Sequence, residues 1–157
     1  MADDERPLAG SGSPGEPNLR SFIVHECSDW RVLIFGLTVP MVTPRMWERK
    51  LSAYVFDPPV RTAARLIPFL RNRFQPDLTI ALTHIGLRLD RELAAAALGI
   101  DLIIGGHSHE LLPKGEIADR TLMVQAGSHG HHIGVVTVEA PNDAEQRPRL
   151  VARIEPL

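Results

Sequence analysis

The stretch Ile100-Asp101-Leu102-Ile103-Ile104-Gly105-Gly106-His107-Ser108-His109 decides how the chain reads. Leu102 to Ile104 is an apolar run too short for a helix, so it reads as a buried strand, and two glycines and two histidines close it. Upstream, Leu78 to Leu82 is a second run of the same kind, with His84 at its end. Metal ligation asks for neutral imidazoles whose lone pairs converge at about 2.0 to 2.1 Å from one ion, and loops at the ends of buried strands meet that need. Gly105 and Gly106 let the backbone turn sharply and free His107 and His109 to point into one crevice. A lone histidine is as readily a hydrogen-bonded core or surface residue, so His84 alone carries less than the His107 and His109 pair. Ser108 reads as a side chain that satisfies backbone groups in the turn.

Outward from this stretch the pattern is strand, helix, strand. Gly86 turns the chain after His84 into a helix expected from Asp90 to Leu98, and Gly99 stops it. Such a repeat predicts a sheet that is parallel at least in part and covered by helices. Asp90 reads as the N-cap of that helix, with a minor role in orienting the site as the alternative. Asp101 reads either as a turn residue or as a partner that orients a histidine. Toward the N-terminus, Ser21 to Glu26 and Trp30 to Leu37 read as strands around a turn at Ser28-Asp29, followed by an irregular stretch through Pro40 and Pro44. Arg45 to Leu51 is a candidate helical turn. Val60 to Phe74 follows Pro58 and Pro59 as a helix, with Ala63, Ala64, Ile67, Leu70 and Phe74 at helical spacing and Pro68 as a bend. Thr121 to Gln125, Ile133 to Glu139 and Val151 to Ile154 are strands without helices between them, which predicts a mixed or second sheet. Met1 to Leu19 is rich in Gly, Pro, Ser and charge, and reads as a flexible tail or solvent-exposed loop before the folded part from residue 20 to 157.

The chain has 157 residues and a formal charge of -2, sized for one domain and without the basic excess of a nucleic-acid or membrane-surface binder. Aromatic residues make up only 5%, which also disfavours a nucleic-acid module. The single cysteine, Cys27, excludes an internal disulfide and a thiolate zinc cluster. The acidic start Met1-Ala2-Asp3-Asp4-Glu5 lacks the pattern of a signal peptide, so the sequence as written reads as cytoplasmic, and as periplasmic or extracellular if a segment with a signal peptide precedes it. Gly10-Ser11-Gly12 and Gly127-Ser128-His129-Gly130 lack the lysine of a phosphate-binding loop. His129, His131 and His132 read as surface or loop residues, and Arg88 and Arg91 as a solvated helix face rather than phosphate contacts.

Ala81-Leu82-Thr83-His84-Ile85-Gly86, then Asp90 and Leu93-Ala94, then Ile100 to His109, then Gln125-Ala126-Gly127-Ser128 and Gly134 together resemble the calcineurin-like metallophosphoesterases, specifically the branch of 5'-nucleotidases and 2',3'-cyclic nucleotide phosphodiesterases. Arg31-Val32-Leu33-Ile34-Phe35-Gly36-Leu37-Thr38 is similar to the strand that precedes these motifs. The resemblance runs from about Ser21 to the C-terminus. It implies an α/β fold, a partial four-layer α-β-β-α sandwich built around two metal ions. His84 and His107 match ligands of the second metal, and His109 matches a ligand of the first; His25 and Glu26 match no ligand position. Two divalent ions (Mn, Zn, Fe or Co) would bind phosphoryl oxygens and activate a water for in-line attack. The implied role is nucleotide catabolism, with a nucleotide or other phosphoester as substrate.

The family's Asp-x-His, Gly-Asp and Gly-Asn-His-Glu motifs do not occur in this sequence, so no residue here matches a catalytic role. The chain therefore reads as the C-terminal portion of a metallophosphoesterase domain, a fragment that is weakly active or inactive alone. Three histidines without carboxylates should hold two ions weakly. The N-terminal half reads as lost, left out by a mis-started gene, or supplied by another chain, and the exposed sheet edges and face predict marginal stability or self-association. The alternative is a non-catalytic remnant or partner-binding fragment that keeps part of a metal site.

Overall fold

A computed structural model describes residues 21–28, 30–40, 47–50, 56–96, 98–141 and 147–157. The tail expected over Met1 to Leu19, Pro44, and both ends of the helical turn expected over Arg45 to Leu51 lie outside the described residues; within that turn, Trp47–Lys50 is a single 3-10 turn. β1 (Phe22–Cys27) and β2 (Trp30–Thr38) form an antiparallel hairpin in which Cys27 faces Trp30. β2 then runs parallel to β3 (Leu78–His84), β3 to β4 (Leu102–Ile104), and β4 to β6 (Thr121–Val124). β5 (Glu116–Ala118) closes the sheet antiparallel to β6, giving the order β1-β2-β3-β4-β6-β5. β7 (His132–Glu139) and β8 (Arg149–Pro156) form a separate antiparallel pair. The sequence pattern does not predict β5; the other strands fall within two residues of their expected bounds.

Helix α1 (Pro59–Phe74) starts with proline in its first turn, where the missing N–H has no helical partner to lose and φ is already helical. Ala63, Ile67 and Leu70 form its buried row, and the chain continues through Pro68 on the exposed side. Helix α2 (Leu87–Ala95) starts earlier and ends earlier than expected. Asp90 is not its N-cap. Gly86, at φ +85, turns the chain, and the N–H of Leu87 donates to Ser108 Oγ at 3.1 Å, so the cap comes from a distant loop. Asp90 lies inside the helix and is buried.

The register sorts the sheet's two faces. Leu37, Thr83 and their neighbours Phe35, Ala81, Ile103 and Met123 share one face, because partners across the strands and alternate residues along them point the same way. Both helices cover that face, and Ile67, Leu93 and Ile100 complete the main core. Gly36, Leu82, Ile104 and Val124 form one row of the opposite face, with Ile34, Ile80, Leu102 and Leu122 behind them. There β7 and β8 contribute Val136, Leu150 and Ala152 to a smaller cluster with Leu102, Leu122 and Val124. The described residues thus stack helices, a six-stranded sheet and a two-stranded sheet. Among them, no helix is long and apolar enough to cross a membrane.

Candidate metal centre at the C-terminal ends of the parallel strands

Parallel neighbours end on the same side of a sheet, so β3 and β4 carry His84 and the loop of His107 to one place. The two imidazole centroids are 5.1 Å apart, edge to face. Gly106 permits this approach: a Cβ there would come within 3.1 Å of His84 Nδ1. Gly105 packs against a carboxylate instead, since its Cβ would lie 2.5 Å from Asp90 Oδ2. Its N–H donates to Val124 O at 2.8 Å and ties the loop to β6.

The loop is held open in an unusual backbone state. His107 has φ +83 and His109 φ +60, a region that side chains rarely adopt. Ser108 pins the turn between them: its Oγ accepts from Leu87 N–H and donates to Gln125 Oε1 at 3.3 Å. The expectation that Ser108 serves backbone in its own turn gives way to a longer reach: the backbone it satisfies opens α2, 21 residues away, and its other partner is a side chain on the next strand's end.

In sequence, Gln125 stands out only as part of a motif. It is buried, and its Nε2 has no hydrogen-bond partner among the described residues. The buried Nδ1 of His132 is in the same condition, close to the turn at Gly127. Orphaned buried polar atoms are rare, and two beside one histidine loop mark it as a place built for polar contacts. A buried amide after a strand, in Gln125-Ala126-Gly127, was the sequence signal for it.

The other histidines divide. His129 and His131 are exposed loop residues as expected, yet the fold brings His129 to 5.8 Å from the ring of His109, with His131 6.0 Å beyond His129. His132 is the first residue of β7 rather than a loop residue. His25 lies exposed on β1, away from this end of the sheet, and Glu26 pairs with Arg31 at 3.1 Å.

Asp90 supports the loop from behind. Its Oδ1 accepts from Thr83 Oγ1 at 2.7 Å, one residue before His84. Burial raises its pKa above the ordinary carboxylate value, and the Thr83 hydrogen bond offsets that in part. Asp101 does not orient a histidine. It precedes β4 and so lies at the opposite end of the sheet, where Oδ2 accepts from Thr79 N–H at 2.8 Å and Oδ1 is 3.6 Å from Arg147. Burial also raises the pKa of Asp101, against the opposing pull of the Thr79 hydrogen bond and of Arg147, Arg71 and Arg120. Arg91 holds Glu116 through two bonds of 2.7 and 2.8 Å, and Arg88 pairs with Glu92, as a solvated helix face would.

As a donor set the site is one-sided. Imidazoles are at hand, but among the described residues no group of three or more His, Cys, Asp or Glu side chains is gathered closely enough to hold a metal ion. Imidazoles alone do not make up a full ligand set here, and no reaction step follows from these residues alone.

This order of layers matches the calcineurin-like α-β-β-α sandwich, the fold seen in structures of a SoxB and a 5'-nucleotidase. The comparisons with known proteins run the same way. Over 131 residues, 82% of the chain, it is 34% identical to the trifunctional nucleotide phosphoesterase protein YfkN of Bacillus subtilis, and covers 9% of that protein. The sulfate thiohydrolase SoxB of Thermus thermophilus matches 91% of this chain with a TM-score of 0.72 at 23% identity. A 5'-nucleotidase precursor from the same organism matches 87% with a TM-score of 0.70, also at 23% identity. The chain spans only 26% of that SoxB and 30% of that nucleotidase. No family model matches the chain.

Proposed function

We propose that the chain supplies the imidazole portion of a metal-dependent phosphoester hydrolase site of the 5'-nucleotidase type. His84 and His107 would hold one divalent ion and His109 a second, with carboxylate ligands delivered by polypeptide outside the described residues. The observation that carries this reading is the meeting of His84 and His107, 5.1 Å apart at the ends of adjacent parallel strands. The likeness to YfkN, a nucleotide phosphoesterase by name, supports a nucleotide or related phosphoester as substrate. Bound divalent ions would supply Lewis acidity and a water of lowered pKa; imidazole ligands suit Mn, Zn, Fe or Co.

One observation favours a second reading, a partner-binding fragment without catalysis. Leu82 is 54% exposed and Ile104 38%, both on the strands that carry the histidines. A layer covering them would arrive where carboxylates are needed, so docking and metal completion are one geometric event in the first reading and only docking in the second.

Calorimetric titration with Mn and with Zn tests the ligand assignment, run on the chain and on its His107→Ala and His84→Ala variants. Binding should weaken roughly tenfold or more in each variant, the usual scale for loss of a metal ligand or its support. Unchanged binding in both would reject the assignment. Hydrolysis of a chromogenic phosphoester, assayed in parallel, should be slow or absent in the chain alone; activity that persists in His107→Ala would remove this histidine from the site.

A further inference from the structure

At the end of the sheet away from the histidines, an open groove of about 1190 Å³ runs between β8 and the segment from Pro113 to Leu122. One wall is β8, whose only strand partner among the described residues is β7. In an antiparallel pair, alternate residues turn their N–H and C=O groups away from the partner, so the far edge of β8 presents a row of unpaired backbone groups to the groove. Apolar surface lies within reach on the other wall, where Ile117 is 72% exposed.

The charged side chains that line the groove are mostly cationic. Lys114, Arg120, Arg147, Arg149 and Arg153 line it, against the single carboxylate of Asp101. Asp101 is spent on Arg147, and Arg149 and Arg153 are held by Glu139 and Glu155 from outside the lining. Lys114 and Arg120 make no hydrogen bond or ion pair among the described residues. The chain's net charge is -2, so this concentration of cations is local and not a reflection of overall composition.

We propose that this groove docks an extended segment of a partner polypeptide in which acidic residues alternate with apolar ones, adding a third strand beside β8. Backbone pairing would supply the register, as in other strand additions to an open edge. Alternation then sends one set of side chains toward Ile117 and Leu122 and the other toward Lys114, Arg120 and the arginines of β8. A second copy of this chain is a poorer occupant, because its own groove would bring the same cations against these ones. The site is separate from the histidine end and does not depend on the phosphoesterase reading.

The probe is a fluorescent peptide as long as β8, 8 residues, alternating Glu and Val. Its counterpart alternates Lys and Val. Anisotropy titrations should show the acidic peptide binding the chain, more weakly as salt rises, and the basic peptide not binding. The double variant Lys114→Glu with Arg120→Glu alters two exposed side chains without touching the β7–β8 pair, and should bind the acidic peptide roughly tenfold more weakly. Circular dichroism confirms that the variant is folded. Equal binding of both peptides, equal binding by the variant, or a dimer in sedimentation that Ile117→Asp separates would overturn the proposal.

Discussion

His107 pays for its position in backbone conformation, since its φ of +83 lies where a Cβ costs roughly 1 to 2 kcal/mol. Such a state persists only when its surroundings fix it, and Ser108, held at both Leu87 and Gln125, does so here. His107→Gly should therefore be more stable than His107→Ala by about 1 kcal/mol in urea unfolding, although both remove the imidazole. An alanine variant as stable as the glycine one would show that the loop carries no strain. Asp90 makes a separate prediction through pH. Its folded pKa is raised above the ordinary 3.8, so the folded state binds this proton more tightly than the unfolded chain. The stability it contributes is full below that ordinary value and is lost as pH rises through the folded pKa. Asp90→Asn keeps an acceptor for Thr83 but cannot ionise. Its melting temperature relative to the parent should rise as pH is taken from about 3.8 toward neutrality. A difference that stays flat across that range would show that Asp90 titrates normally.

Between elements, attachment is uneven. α1 is stapled to the sheet by Arg71, whose Nη1 donates to Thr79 Oγ1 at 2.6 Å and to Gly99 O at 2.7 Å. Arg71→Met keeps much of the aliphatic stem and should lower unfolding free energy by about 1 to 3 kcal/mol, the cost of leaving partly buried acceptors unmet; a change under half that in urea titration would make the staple incidental. By contrast, β7 and β8 rest on the sheet through the small cluster around Leu102, Leu122 and Val124. A two-stranded ribbon is marginal by itself, so its amides should exchange with deuterium well before those of β3 and β4. Uniform protection would mean one cooperative unit. The same contrast governs what could be read from sequence. β3 and β4 were legible because each is an apolar run closed by glycine or histidine within a few residues. β5 was not, because Glu-Ile-Ala offers no alternation and is a strand only by pairing with β6. The start of α2 was misplaced for a related reason: Asp90 is a good local cap, whereas the cap in use is Ser108, 21 residues away. His84, His107 and His109 could be named from their places at strand ends, but the approach of His129 to His109 depends on β6 lying beside β4 and has no local signature.

Taken together, the described residues close one side of the sheet and leave the other open. Helices seal the face of Phe35, Ala81, Ile103 and Met123, while among the described residues the opposite face is sealed only where β7 and β8 reach it. Leu82 and Ile104 stand adjacent in register at the uncovered end, beside His84. With a net charge of only -2, little long-range repulsion keeps two such faces apart. The chain alone should therefore self-associate at rising concentration. Leu82→Glu with Ile104→Glu should restore a monomer in sedimentation velocity and reduce binding of a hydrophobic dye. Because Leu82 is more than half exposed and Ile104 more than a third, the double change should alter unfolding free energy by no more than about 1 kcal/mol. If instead it unfolds the protein, these two side chains are covered in solution by the chain itself, and the open face is already occupied. If it yields a stable monomer that still binds Mn or Zn as the parent does, the uncovered strip and the histidines are independent, and a partner seated on the strip has a role apart from completing the metal centre.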